Sequence, residues 1–291
     1  MSTKDKIKAY YAATKPRVTY VNALTALTGY LFAVGLLGGF DMAELLALAV
    51  GVTLIIASAC VLNNLLDRDI DSQMKRTADR PTVTGAVSVR GALILTITLG
   101  IVGSALLYFF AGVGVLALGA LGYVTYVLFY GVIGKRLSIH GTLVGSVSGA
   151  IPIVAGYVAI SGRIDLAAVL LFLILFLWQE PEFYSISIFR RREYKTAGVP
   201  VISVVRGNRN TARQIFVYLA LYVVTTLILT PLGYANLLYF VVMAAAGGYW
   251  LFLATRGLSG KNLEAWARKM FHVGLLNMII LCVMLPLGSL L

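Results

Sequence analysis

The sequence predicts an all-α polytopic membrane protein with nine transmembrane helices. Three observations carry this. Of the 291 residues, 59% are apolar and only 12% charged, with a mean hydropathy of +0.88. Soluble domains carry about 45–50% apolar and about 25% charged residues, so a soluble enzyme, a disulfide scaffold and a disordered chain are excluded. The apolar residues also collect into runs of membrane-spanning length, about 20 residues each. Finally, the basic residues fall on alternate connections between those runs, as retention of positive charge on the cytoplasmic side requires.

The stretch before the first run is short, basic and polar. It lacks the small-residue cleavage site of a signal peptide and reads as a cytoplasmic lead-in. Spans follow at about 18–40, 42–66, 91–111, 113–134, 141–161, 165–188, 212–231, 234–255 and 270–290. Lys4, Lys6, Lys8, Lys15 and Arg17 precede the first. Arg68, Lys75, Arg76, Arg80 and Arg90 follow the second, and Lys135 and Arg136 the fourth. Arg190, Arg191, Arg192, Lys195, Arg206, Arg209 and Arg213 follow the sixth, and Arg256, Lys261, Arg268 and Lys269 the eighth. Of all 24 lysines and arginines, Arg163 alone lies on the other side. A wrong count of spans would scramble this alternation. It predicts a cell-membrane protein with its N-terminus in the cytoplasm and its C-terminus outside. The net charge of +12 therefore reports topology rather than a nucleic-acid partner, and none is expected. A single domain over 1–291 is expected. Cys60 and Cys282 lie in separate apolar runs, too few and too far apart for a metal cluster or a disulfide framework.

Chemistry-bearing residues gather at two span ends. The second span closes on Asn63-Asn64-Leu65-Leu66-Asp67-Arg68-Asp69-Ile70-Asp71, followed by Lys75, Arg76 and Arg80. Residues four apart on a helix advance about 400°, so Asn63, Asp67 and Asp71 line one face. Asp69 points away from it and reads as a salt-bridging residue. Two carboxylates and an amide oxygen form a hard ligand set of the kind magnesium takes, with water and substrate phosphate completing its shell. The bland reading is a solvated helix end in which Asp71 pairs with Lys75. Asn63 lies near bilayer depth, however, where polar groups are costly and usually functional.

The sixth span closes on Trp178-Gln179-Glu180-Pro181-Glu182-Phe183-Tyr184, followed by Arg190, Arg191, Arg192 and Lys195. Pro181 frees helix carbonyls, and the two glutamates place carboxylates inside an apolar run. Their bland reading is pairing with the arginines that follow. Lys135-Arg136, after Tyr126 and Tyr130, is a third basic site that would by itself mean only topology.

These residues carry a resemblance. Asn63-x3-Asp67-x3-Asp71 resembles the first aspartate-rich motif of the UbiA superfamily of intramembrane prenyltransferases. The fuller strings resemble its protohaem IX farnesyltransferase (haem O synthase) branch. They are Asn63-Asn64-x2-Asp67-Arg68-Asp69-Ile70-Asp71-x2-Met74-x-Arg76-Thr77-x2-Arg80, Gly141-Thr142-Leu143-x-Gly145-Ser146-x-Ser148-Gly149-Ala150-x-Pro152, and Leu177-Trp178-Gln179-x-Pro181-x2-Tyr184. The likeness runs through nearly the whole chain, and it implies that the nine helices surround a central cavity opening at the cytoplasmic face. One departure stands out. Histidine commonly follows the Trp-Gln-x-Pro proline in that branch, whereas this chain has Glu182, and neither His140 nor His272 matches the position. Either the histidine's role is altered here, or Glu182 supplies a metal ligand directly, as acids do in other branches. The metal role is the expectation.

The resemblance implies transfer of farnesyl from farnesyl diphosphate to the vinyl group of haem B, with water addition, giving haem O. Magnesium is the implied cofactor and haem B a substrate. Asn63, Asp67, Asp71 and Glu182 are the implied metal ligands. Arg76, Arg80, Lys135, Arg190, Lys195 and Lys15 are the candidates for the diphosphate. Tyr126, Tyr130, Tyr184 and Trp178 are the candidates to line the allylic cation. The implied partners are the lipid bilayer and, in assembly, haem A synthase or the terminal oxidase. Two other readings stay open. One is a prenyltransferase with a quinone or lipid acceptor. The other is a secondary transporter, since intramembrane acids and kinked helices also mark ion paths.

Overall fold

Each apolar run becomes a long helix, and successive long helices run antiparallel. The computed structural model describes residues 2–290, with no strand among them. A short α1 (Thr3–Ala13) leads into α2 (Pro16–Leu37) and α3 (Met42–Leu66), and α4 (Arg68–Ser72) continues α3 after a break at Asp67. Next come α5 (Val89–Leu106), prolonged by a π-helical turn at Leu107–Ala111, and α6 (Val113–Val124). The latter runs through a longer π-helix (Thr125–Gly134) into α7 (Lys135–Leu137). The second half comprises α8 (Gly141–Ser161), α9 (Leu166–Phe189), α10 (Arg191–Thr196), α11 (Ile202–Val205), α12 (Asn208–Leu227), α13 (Leu237–Ser259) and α14 (Leu263–Ser289).

Eight of these helices are long and apolar enough to cross a membrane. The ninth long helix among the described residues, α12, begins Asn208-Arg209-Asn210 and carries Arg213 and Gln214, so its apolar stretch starts only at Ile215. Helix starts follow local chemistry. Pro16 occupies the first turn of α2, where its missing N–H leaves no bond unmade. Asp41, Ser88, Asp165 and Asn236 cap α3, α5, α9 and α13 by accepting backbone N–H groups of the first turn.

Burial of apolar surface does not separate helix partners from lipid, so close backbone approach carries the packing. At the α2–α8 crossing, Gly29 faces the carbonyl of Ile153 and Gly156 that of Ala26, with no room for a Cβ at either position. Further pairs are α2 on α3 and α14, α8 on α9, and α9 on α12 and α14. The outward faces carry exposed Ile97, Ile101, Phe109, Val224, Leu238 and Ile279, an apolar surface suited to lipid. Inside the ring, α2, α3, α6, α8, α9 and α14 enclose one cavity of about 570 Å³.

Candidate active site

The break in α3 keeps its three polar residues in step. Asp67 leaves helical geometry, yet its N–H donates to the Asn63 carbonyl at 2.9 Å and the Asp71 N–H donates to the Asp67 carbonyl at 2.8 Å. The i, i+4 ladder therefore survives. Asn63, Asp67 and Asp71 are all buried to 1–2% exposure.

A base meets each of them. Lys135 Nζ lies 2.7 Å from Asp67 Oδ2, and Arg80 pairs with Asp71. Lys15 Nζ donates to Asn63 Oδ1 at 2.9 Å and the Tyr126 hydroxyl to the same oxygen at 3.2 Å. Asp71 thus pairs with Arg80, not with Lys75. The segment after α4 folds back through buried Met74, Thr77 and Thr82, which brings Arg80 and Arg76 to the cavity wall. Asp69 faces outward and accepts two 2.7 Å hydrogen bonds from Arg136, which hold its carboxyl down at about 2.

Two backbone irregularities aim the bases. Lys15, between α1 and α2, is the one described non-glycine residue with positive φ (51°), a left-handed conformation that costs about 1–3 kcal/mol and is common at functional sites. Burial pushes its ammonium down to about 8. The π-helix after α6 closes with the Lys135 N–H on the Tyr130 carbonyl, the i→i+5 bond that marks functional segments. It stacks Tyr126 on Tyr130 with centroids 5.7 Å apart and delivers Lys135 to Asp67. Gly131 in this segment lies against Asn63, and Gly145 of α8 lies under the Tyr130 ring.

Lys15, Arg76, Arg80, Arg190, Tyr126 and Tyr130 border the cavity. Arg76 has no acidic partner among the described residues, and Arg190 is paired with Glu193 at 2.8 Å. Along α9 and its cap, Gln179, Phe183, Ile186 and Arg190 face the cavity as one stripe at helical spacing, with Phe189 beside it.

Four of the expected site residues do not line the cavity. Trp178 and Glu182 lie on the neighbouring stripe, towards α14. The Trp178 indole donates to the Gly274 carbonyl at 2.9 Å. The Glu182 carboxylate packs against Gly274, beside Trp250, and neither of its oxygens has a hydrogen-bond partner. Glu182 therefore does not join Asn63, Asp67 and Asp71. Tyr184 turns the other way, edge-on to Tyr218 of α12, and does not line the cavity. Lys195 is exposed on α10. Glu180 is satisfied by Ser146 at 2.7 Å and Thr142 at 3.2 Å, both from α8. Sequence reasoning missed Phe183, Phe189, Phe271, Cys60 and Tyr123, all lining residues. The spacing of the α9 stripe was the one available signal.

No three His, Cys, Asp or Glu side chains converge as a metal cage among the described residues. What the site offers is two carboxylates, with Asp67 Oδ1 buried and unpartnered, beside bases. This hard, incomplete oxygen set fits a magnesium ion that takes its remaining ligands from phosphate and water.

The sequence profile of the UbiA prenyltransferase family matches residues 22–277. The chain belongs to the UbiA prenyltransferase family. Within it, the chain is 42% identical over 279 residues to protoheme IX farnesyltransferase 2 of Pseudomonas fluorescens, covering 96% of this chain and 94% of that one. It is 43% identical to the protoheme IX farnesyltransferase of Pseudomonas syringae, again over 96% and 94%. Solved structures share the UbiA fold. A digeranylgeranylglyceryl phosphate synthase superposes with a TM-score of 0.81 at 18% identity, covering 98% of this chain and 99% of that one. A UbiA homologue from Archaeoglobus fulgidus bound to GPP and Mg2+ superposes with a TM-score of 0.70 at 15% identity, covering 95% and 99%.

Proposed function

We propose that this protein is a protohaem IX farnesyltransferase. It moves farnesyl from farnesyl diphosphate to the 2-vinyl group of protohaem, and water then adds to give haem O. One observation carries the chemistry: Asp67 and Asp71 are buried, each against a base, and Arg80, the partner of Asp71, borders an apolar cavity lined by the Tyr126–Tyr130 stack. The full-length likeness to protohaem farnesyltransferases supports the acceptor.

Asn63, Asp67 and Asp71 would hold magnesium, which supplies charge neutralisation of the diphosphate. Arg76, with no acid to neutralise it, and Lys15 attract the same group. Arg80 and Lys135 are placed to turn from Asp71 and Asp67 to phosphate oxygens when diphosphate enters, which would leave the two carboxylates free to hold the metal. The allylic C–O bond then breaks with its electron pair on the leaving group, which these cations stabilise. The allylic cation forms beside Tyr126 and Tyr130, whose faces contribute about 0.5–2 kcal/mol each. The vinyl π electrons form the new C–C bond. Water adds to the resulting cation and loses a proton. The alternation of basic connections supports a site that opens at the cytoplasmic face, with the N-terminus inside and the C-terminus outside.

The test is incubation of the purified protein with protohaem, farnesyl diphosphate and magnesium, followed by mass analysis of the extracted haem. A hydroxyethylfarnesyl haem is expected. Diphosphate release with a quinone or lipid acceptor and none with haem would overturn the proposal, as would substrate flux without diphosphate release.

A further inference from the structure

At the C-terminal end of α9, the cavity rim carries a feature the prenyl-transfer machinery does not use. Phe189, the last residue of α9, has two guanidinium groups over its ring, Arg268 of α14 with Cζ 4.9 Å from the centroid and Arg190 at 5.7 Å. Phe271 meets the same ring edge-on at 6.0 Å. Phe189, Arg190 and Phe271 line the cavity, and Arg268 stands exposed just outside it.

Arg268 is in no ion pair among the described residues, whereas Arg80, Lys135 and Arg190 each hold an acid. Nothing in the acid cluster requires it, since α14 does not carry any of those residues. A guanidinium held over an aromatic ring gains from the ring's face while its N–H groups stay able to donate elsewhere. Those N–H groups match a carboxylate and take it through two parallel hydrogen bonds.

Resting on the function proposed above, we propose that Arg268, with Arg190 beside it, anchors the carboxylates of the tetrapyrrole acceptor and so sets which edge of the macrocycle enters the cavity. Protohaem carries its two propionates on one edge and its vinyl groups on the opposite edge. Propionates held at the Phe189 rim leave the vinyl edge directed inward, where the allylic cation forms. Phe183, Phe189 and Phe271 give the flat apolar ring a wall. Arg190 is thereby assigned to the acceptor, not to the diphosphate.

The test is steady-state kinetics of the full-length protein and of Arg268→Gln, each with protohaem and with protohaem dimethyl ester, whose carboxylates are capped. Loss of a charge-assisted carboxylate contact is expected to raise the KM for protohaem about tenfold. The KM for farnesyl diphosphate should stay unchanged, which also shows that the variant is folded. On the dimethyl ester, wild type and Arg268→Gln should behave alike, and Arg268→Lys should recover part of the loss on protohaem. The proposal is overturned if Arg268→Gln leaves the protohaem KM unchanged, if it raises both KM values together, or if wild type accepts the dimethyl ester as well as protohaem. That last comparison needs no variant. A wild-type protein that makes no farnesylated haem overturns the functional reading itself, whereas normal wild-type turnover with an indifferent Arg268→Gln overturns only the anchor.

Discussion

The ends of α3 and α9 look alike in sequence, each an apolar helix that closes on acids and runs into a basic segment, yet they are built differently. At α3, Asp67 and Asp71 are buried, Asp67 against Lys135, 68 residues away, and Asp71 against Arg80, which lines the cavity. At α9, Glu180 is tied by two α8 hydroxyls, and Glu182 is wedged against Gly274 with no partner. The arginines after α9 do not neutralise either glutamate. Arg190 turns to Glu193 and Arg191 to the Ser203 carbonyl. An acid in an apolar run is therefore not by itself a functional group. What marks one is its face and its cationic partner.

The largest effect is expected where that contrast is sharpest. Asp67→Asn and Asp71→Asn should each lower kcat by about 10³-fold, the scale of losing a transition-state charge contact, with helix content by circular dichroism unchanged. Haem O formation near the wild-type rate in both variants would dissolve the distinction between the two helix ends.

Next, Arg76→Ala should reduce kcat/KM for farnesyl diphosphate by about 10²-fold, since a charge-assisted contact is worth about 1.5–3 kcal/mol. Added magnesium should not rescue it. Recovery at high magnesium would make Arg76 a bulk-charge residue.

Gly156→Val tests the frame that holds the two helix ends apart. Its side chain would meet the Ala26 backbone, and overpacking of this kind typically costs about 1–3 kcal/mol. A lower melting temperature in detergent is expected, with the metal dependence of the surviving activity unaltered.

The smallest effects belong to Glu182→Gln and Lys195→Ala, both expected to stay within about threefold of wild type in kcat/KM. A magnesium titration of Glu182→Gln decides the comparison most directly. A raised magnesium requirement would restore Glu182 as a ligand and make the two ends alike after all.

Much of this protein is written locally. The composition and the alternation of basic connections predict a bundle of nine membrane-length helices; eight helices among the described residues are long and apolar enough to cross. A bilayer forces each span to satisfy its own backbone hydrogen bonds, so a long apolar run has little choice but to be a helix. The stripe of Asn63, Asp67 and Asp71 is likewise a property of helical periodicity, and the i, i+4 bonds preserve it through the break at Asp67. What remained unreadable was direction. In a soluble helix the apolar stripe shows which side faces in, but here the lipid face and the cavity face are both apolar. Only the packing of α9 against α8, α12 and α14 decided that Phe183 looks inward while Glu182 and Tyr184 do not. Only the folded-back segment after α4 and the π-helical turn before Lys135 decided which bases meet Asp71 and Asp67. Asp67 and Lys135 are 68 residues apart, and the nine-residue return from Asp71 to Arg80 follows no helical period, so no local spacing encodes either contact.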